Sequence, residues 1–148
     1  MSYCRWSSDK FMSDVYVYEH YMGQWVIHVG SLKHIPPCPP EIEDPYSYAV
    51  IRRMKDDGGF QGEGWRKVYQ IYRAWLDSTE LVPINLPYDG QSFYENDPGA
   101  TAERLQILKD IGYHVPDGVI EELRKEMLTF DADKHLAEIE ASIKADRL

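Results

Sequence analysis

Cysteine is scarce: the two thiols of the 148-residue chain, Cys4 and Cys38, allow neither a dense disulfide framework nor a Cys-x-x-Cys motif. Long apolar runs are missing too, so no segment qualifies as a membrane-spanning helix. The opening Met1-Ser-Tyr-Cys-Arg-Trp6 lacks the apolar stretch of a secretory signal, and a cytoplasmic protein with reduced thiols is expected. Converging metal ligands are absent as a pattern, because His20, His28, His34, His114 and His135 are scattered and no pair stands at i, i+4. His20 and His28 fall on facing strands and read as a half-exposed pair. There is no Gly-x-Ser-x-Gly elbow, and Ser7-Ser8-Asp9 reads as a turn. The glycine-rich Gly58–Gly64 stretch lacks the Lys-Ser/Thr of a phosphate loop and carries Glu63, which repels anions; it reads as a turn between helices. No catalytic residue, metal or cofactor is expected, and enzymatic activity is disfavoured.

What is present begins with acid. Residues 1–75 hold nine Lys/Arg and nine Asp/Glu, whereas residues 76–148 hold seven against sixteen, so the formal charge of −9 lies entirely in the second half. A phosphate backbone is bound through clustered Lys/Arg, which excludes nucleic acid as the expected direct partner.

Periodicity predicts an α+β fold: a small antiparallel sheet near the N-terminus packed against four or five helices in one domain. Its parts are a hairpin part (residues 1–33), a Pro-rich connector (34–45) and a helical part (46–148). Asp14–His20 and Gln24–Val29 alternate at period two and predict the hairpin. Tyr3–Trp6 or Leu81–Asn85 supplies a third strand, the latter at an edge because of Pro83. Five of the nine prolines fall within residues 34–45, which excludes helix and central strand there. Asp44-Pro45 predicts the cap of a short helix ending at Asp57-Gly58-Gly59, and Glu63–Ser78 a central core helix with Trp65, Tyr69, Tyr72 and Leu76 on one stripe. A loop follows over Thr79–Asp97. Asp97-Pro98 opens a helix that Gly112 ends, and a further stripe of Ile120, Leu123, Met127 and Phe130 continues through Leu136, Ile139 and Ile143 as one helix or two.

The long loop is the candidate small-ligand site. Tyr88, Asp89, Gly90, Ser92, Phe93, Tyr94 and Asn96 would line it, with Arg66 and Arg73 as phosphate contacts, since aromatic faces stack bases and guanidinium forks match phosphate. Asp89, Glu95 and Asp97 are the carboxylates available for acid–base work in a weak hydrolase. The apolar residues Leu136, Ile139 and Ile143 are the candidate seam of a homodimer.

The opening Met1-Ser-Tyr-Cys-Arg-Trp-Ser-Ser-Asp9, the hairpin Asp14–Glu19, Leu86-Pro-Tyr-Asp-Gly-Gln-Ser-Phe93 and Gly112-Tyr-His-Val-Pro116 resemble a family of short accessory proteins encoded by tailed phages and prophages. The resemblance implies the cytoplasm of a bacterial host and a role outside the virion, and it implies no catalytic residue. The leading expectation is a non-enzymatic protein that binds and inhibits a host protein, a nuclease or defence factor, through an acidic surface. A nucleotide-type small ligand held by the 79–97 loop is the alternative.

Overall fold

Alternation in the hairpin sequence decides the sheet. The computed structural model describes residues 3–6, 10–19 and 23–146. Strands β2 (Val15–Glu19) and β3 (Trp25–Val29) pair antiparallel with Val17 opposite Ile27 and Tyr16 opposite His28. Val15, Val17, Trp25, Ile27 and Val29 therefore share the face that turns inward, all at most 5% exposed. The backbone of β1 (Tyr3–Trp6) adds to β2 with an irregularity between Cys4 and Trp6, and β6 (Ser92–Glu95) adds to β3, giving the order β1-β2-β3-β6. Of the two candidates for a third strand, Tyr3–Trp6 joins this sheet. The other contributes β5 (Glu80–Pro83), which pairs with β4 (Leu32–Ile35) in a separate two-stranded sheet.

The described residues form five α-helices besides these strands, and the fold is α+β. The chain divides into two compact units, one built from β1, residues 13–32 and residues 83–146, the other from residues 10–12 and 33–82. The Pro-rich connector thus groups with the helices that follow it, and the hairpin groups with the C-terminal half.

In the first unit the inward sheet face meets α3 (Pro98–Ile111) and α4 (Val119–Leu128), whose Ala102, Leu105, Leu108, Val119, Ile120 and Leu123 complete one apolar core with Tyr113 and Val115. Each large side chain buried there contributes about 1.5–3 kcal/mol relative to exposure. Asp97 caps α3 as its sequence predicts, its carboxylate accepting from Ala100 N at 2.7 Å, and Gly112 ends the helix. The C-terminal stripe is two helices. Asp131 accepts from Lys134 N at 3.1 Å and opens α5 (Ala132–Asp146), so a cap replaces the Gly or Pro break that the sequence lacks.

In the second unit, α1 (Tyr48–Met54) is capped by Ser47 and not by Asp44. The Asp44 carboxylate closes a tight turn onto Tyr46 N at 2.9 Å, which leaves Ser47 extended with its hydroxyl 3.3 Å from Val50 N. Helix α2 (Glu63–Ser78) has the predicted bounds, but it buries Tyr72 and Trp75, while Trp65 and Tyr69 are only half-buried. The stripe is used to hold the proline-rich segment, with Trp65 Nε1 donating to Pro45 O at 2.7 Å and Trp75 Nε1 to Pro36 O at 3.1 Å. Cys38 is a buried thiol against Tyr72 and Trp75. The glycine-rich stretch is a helix-to-helix turn containing two 3-10 turns, and Gly62 is required there because a Cβ would stand 1.8 Å from Asp57 O.

The expected loop over Thr79–Asp97 is half structured, since it contains both β5 and β6. Ser92-Phe-Tyr-Glu95 alternates too briefly to stand out among turn residues, and its pairing with β3 spans more than sixty residues of sequence.

Candidate functional site

The segments 86–93 and 112–116 meet in the first unit. Tyr113, 2% exposed, donates its hydroxyl to Asp89 Oδ1 at 2.8 Å and accepts from Tyr88 N at 2.7 Å. The other oxygen of Asp89 accepts from Asn85 N at 2.8 Å and Leu86 N at 3.3 Å, closing the turn on itself. Burial, and after it the bond to Asp89, raises the Tyr113 phenol to about 12. Asp14 fixes the adjoining link: its Oδ2 accepts from His114 N at 2.7 Å, and its own N–H donates to His114 O at 2.9 Å. Both Asp89 oxygens are engaged, one by the Tyr113 hydroxyl and one by backbone N–H groups, which makes the residue a latch and leaves it poorly placed as a base.

The remaining candidates in the 79–97 segment separate onto two faces. Phe93 turns inward, edge-on to Tyr88 at 5.4 Å and under the Arg104 guanidinium at 4.7 Å. Ser92 and Tyr94 point to the opposite face, where Ser92 Oγ contacts His28 Nδ1 at 2.5 Å and Tyr94 is 60% exposed. Gly90 N donates to Val29 O at 3.0 Å, continuing the turn into the sheet. Asn96 accepts from Gln24 Nε2 at 3.1 Å. Of the acid–base candidates, Glu95 pairs with Arg104 at 3.1 Å and Asp97 caps α3. Arg66 and Arg73 belong to the second unit, where Arg73 pairs with Asp77 at 3.1 Å and Arg66 borders a depression of about 540 Å³ together with Lys67, Asp57 and Glu63. The structure therefore places no single pocket around the residues proposed from the sequence within either unit. His20 lies outside the described residues, so its pairing with His28 does too.

The acidic surface is a property of the first unit. Residues 10–12 and 33–82 hold eight Lys/Arg and eight Asp/Glu, so the remaining residues, with eight against seventeen, account for the whole charge of −9. Helix α5 has no buried residue. It rests on the hairpin end by one edge: His135 Nε2 lies 2.9 Å from Gly23 O, which makes that nitrogen the protonated one, and the imidazole stacks on Trp25 at 5.3 Å. Gly23, at φ +81°, is required because a Cβ would stand 2.0 Å from Ile139 Cδ1. Ile139 and Ile143 are half-buried and Leu136 is 57% exposed, so the three residues of the candidate dimer seam do not share one environment. Leu128, 85% exposed, ends α4 nearby in sequence.

Between α4, α5 and the sheet lies a depression of about 380 Å³. Glu19, Glu126, Asp131 and Glu138 border it, together with Lys134, His135, Phe130 and Trp25. Trp25 Nε1 is buried with no acceptor among the described residues. Sequence reasoning missed this place because Trp25 and Glu19 stand on the hairpin and the rest come from more than a hundred residues away. The only local signal was Gly23, which reads as an ordinary turn. No group of three or more metal-ligating side chains occurs among the described residues, and no described helix is long and apolar enough to cross a membrane. Compared with protein-family models, with curated proteins and with solved structures, the chain matches none.

Proposed function

We propose that this chain is a non-enzymatic accessory protein of phage type that binds a basic surface of a host protein through α4–α5 and blocks it, as an inhibitor of a nuclease or defence factor would. One observation carries the reading: α5 exposes carboxylates along its length, buries no residue, and belongs to the unit that holds the whole charge excess. Exposed Leu128 and Leu136 add apolar area among those carboxylates. A surface of this kind is drawn to a cationic nucleic-acid channel, and the charge speeds encounter and excludes the polyanion. Pull-down from a bacterial lysate tests it: a stoichiometric partner is expected at low salt and is weakened at high salt. Recovery of no partner, or capture indifferent to salt, contradicts the reading.

A second reading, a nucleotide-type ligand near the 79–97 segment, draws on the exposed Tyr94 ring beside Ser92 and His28. A thermal-shift screen of nucleotides decides it, because a ligand selective for the folded state raises the melting temperature saturably.

A further inference from the structure

We infer that the aromatic face of α1 and α2 is an assembly surface for a second copy of this chain, whose α5 seats there through Leu136 with Asp133 and Glu140 beside it. The pairing rests on the reading of α5 as an acidic docking surface and gives it a basic site in the chain's own other unit. The aromatic face is continuous. Phe60 stands edge-on to Trp65 at 5.0 Å, Trp65 stacks on Tyr69 at 5.2 Å, and Tyr46 meets Trp65 edge-on at 6.0 Å. Ile51 shares a recess of about 20 Å³ with Phe60 and Trp65, and it also borders a depression of about 650 Å³ with Tyr48, Arg52, Lys55 and Asp56. Tyr46, Tyr48 and Phe60 are each more than half exposed. Aromatic area left to water beside an arginine has the composition of a protein interface.

Charge complementarity names the occupant. Arg52 and Lys55 stand three residues apart at the C-terminal end of α1, and neither is paired with a carboxylate among the described residues. On α5, Asp133 precedes the exposed Leu136 by three residues and Glu140 follows it by four, so the three share one edge of the helix. Asp133 and Glu140 are exposed and likewise have no ion pair among the described residues. They lie about 10 Å apart along the helix, a span that the long Arg52 and Lys55 side chains reach across. A leucine between two carboxylates thus fits an isoleucine and aromatic seat beside two cations. A phosphate backbone fits it poorly, because two cations stand against Asp56 in a unit of no net charge. That neutrality also lets the acidic unit of another copy approach, and repulsion between the two acidic units is screened beyond about 8 Å at physiological salt.

Light scattering of the whole chain at physiological salt tests the contact. The parent's mass should rise above that of one chain across the micromolar range. Arg52→Glu/Lys55→Glu and Asp133→Lys/Glu140→Lys, all at exposed positions, should each need at least about tenfold higher concentration to associate, because like charges then face each other. Both should melt as the parent does. Mixed one to one, they should associate again: the acidic α5 of the first meets the unchanged cations of the second, and the new lysines meet the new glutamates. Should the α1 variant fail to fold, Tyr48→Ser, at a side chain 77% exposed, takes its place and should weaken association by itself. A parent mass of one chain throughout overturns the contact, whatever else covers the face. So does an α1 variant that associates as the parent does, the result expected if α5 pairs with α5, and so does a mixture that stays monomeric. If the chain stays monomeric while salt-sensitive capture of a host partner persists, this contact falls and the acidic docking surface stands. If copies associate through α5 and no host partner is captured, the host reading falls instead.

Discussion

At the scale of single residues, Tyr113 and Asp89 hold two distant segments together with one hydroxyl and one carboxylate. Tyr113→Phe removes both bonds of the hydroxyl and leaves Tyr88 N without its partner, a loss of about 1–3 kcal/mol that urea unfolding will read as a lower midpoint at unchanged slope. The same residue sets an alkaline limit. A free phenol titrates near 10, and in the fold it is held up at about 12. The unfolded chain thus loses its proton first, so the stabilisation is complete below about pH 10 and declines as pH rises through 12. Tyr113→Phe should abolish that part of the pH dependence, and unfolding at pH 8 and at pH 11 measures it. Little of this was legible beforehand: Asp89 stood out as a carboxylate of the long loop, but nothing local marks Tyr113 as its partner twenty-four residues on.

At the scale of elements, caps and glycines proved readable where their chemistry is local. Asp97, Gly112 and the bounds of α2 stand as the sequence predicts, since each depends on a few neighbouring residues. Asp97→Ala should cost about 1 kcal/mol through loss of the cap. Strand β6 escaped, and β5 was expected beside the hairpin and pairs with β4 instead, because four-residue strands take their identity from a partner, not from their own period. Helix α5 was legible as a stripe but not as a seat, because Gly23, His135 and Ile139 meet only after the hairpin has folded. Gly23→Ala combines a disfavoured φ with a clash against Ile139, and should free α5 while sparing the α3–sheet core. Hydrogen exchange should then quicken over residues 132–146 and stay slow in β3.

At the scale of the whole molecule, charge and packing are divided unequally. The unit with the larger apolar core also carries all nine net negative charges, while the unit built on α1 and α2 is neutral. The acidic half was evident from counting residues. Its assembly around one sheet was not, because β6 reaches the hairpin from more than sixty residues further along the chain. A homodimer through α5 would have to form mainly around Leu136, and light scattering across the micromolar range reads this as a mass that rises with concentration. The claim that matters most is that the acidic helices are the binding surface. Capture of a lysate partner by the parent should be compared with capture by Asp133→Lys/Glu140→Lys, on exposed positions of α5, and by Asp56→Lys in the neutral unit. The account predicts that the α5 pair loses the partner at low salt while Asp56→Lys retains it; equal capture by all three proteins would contradict it.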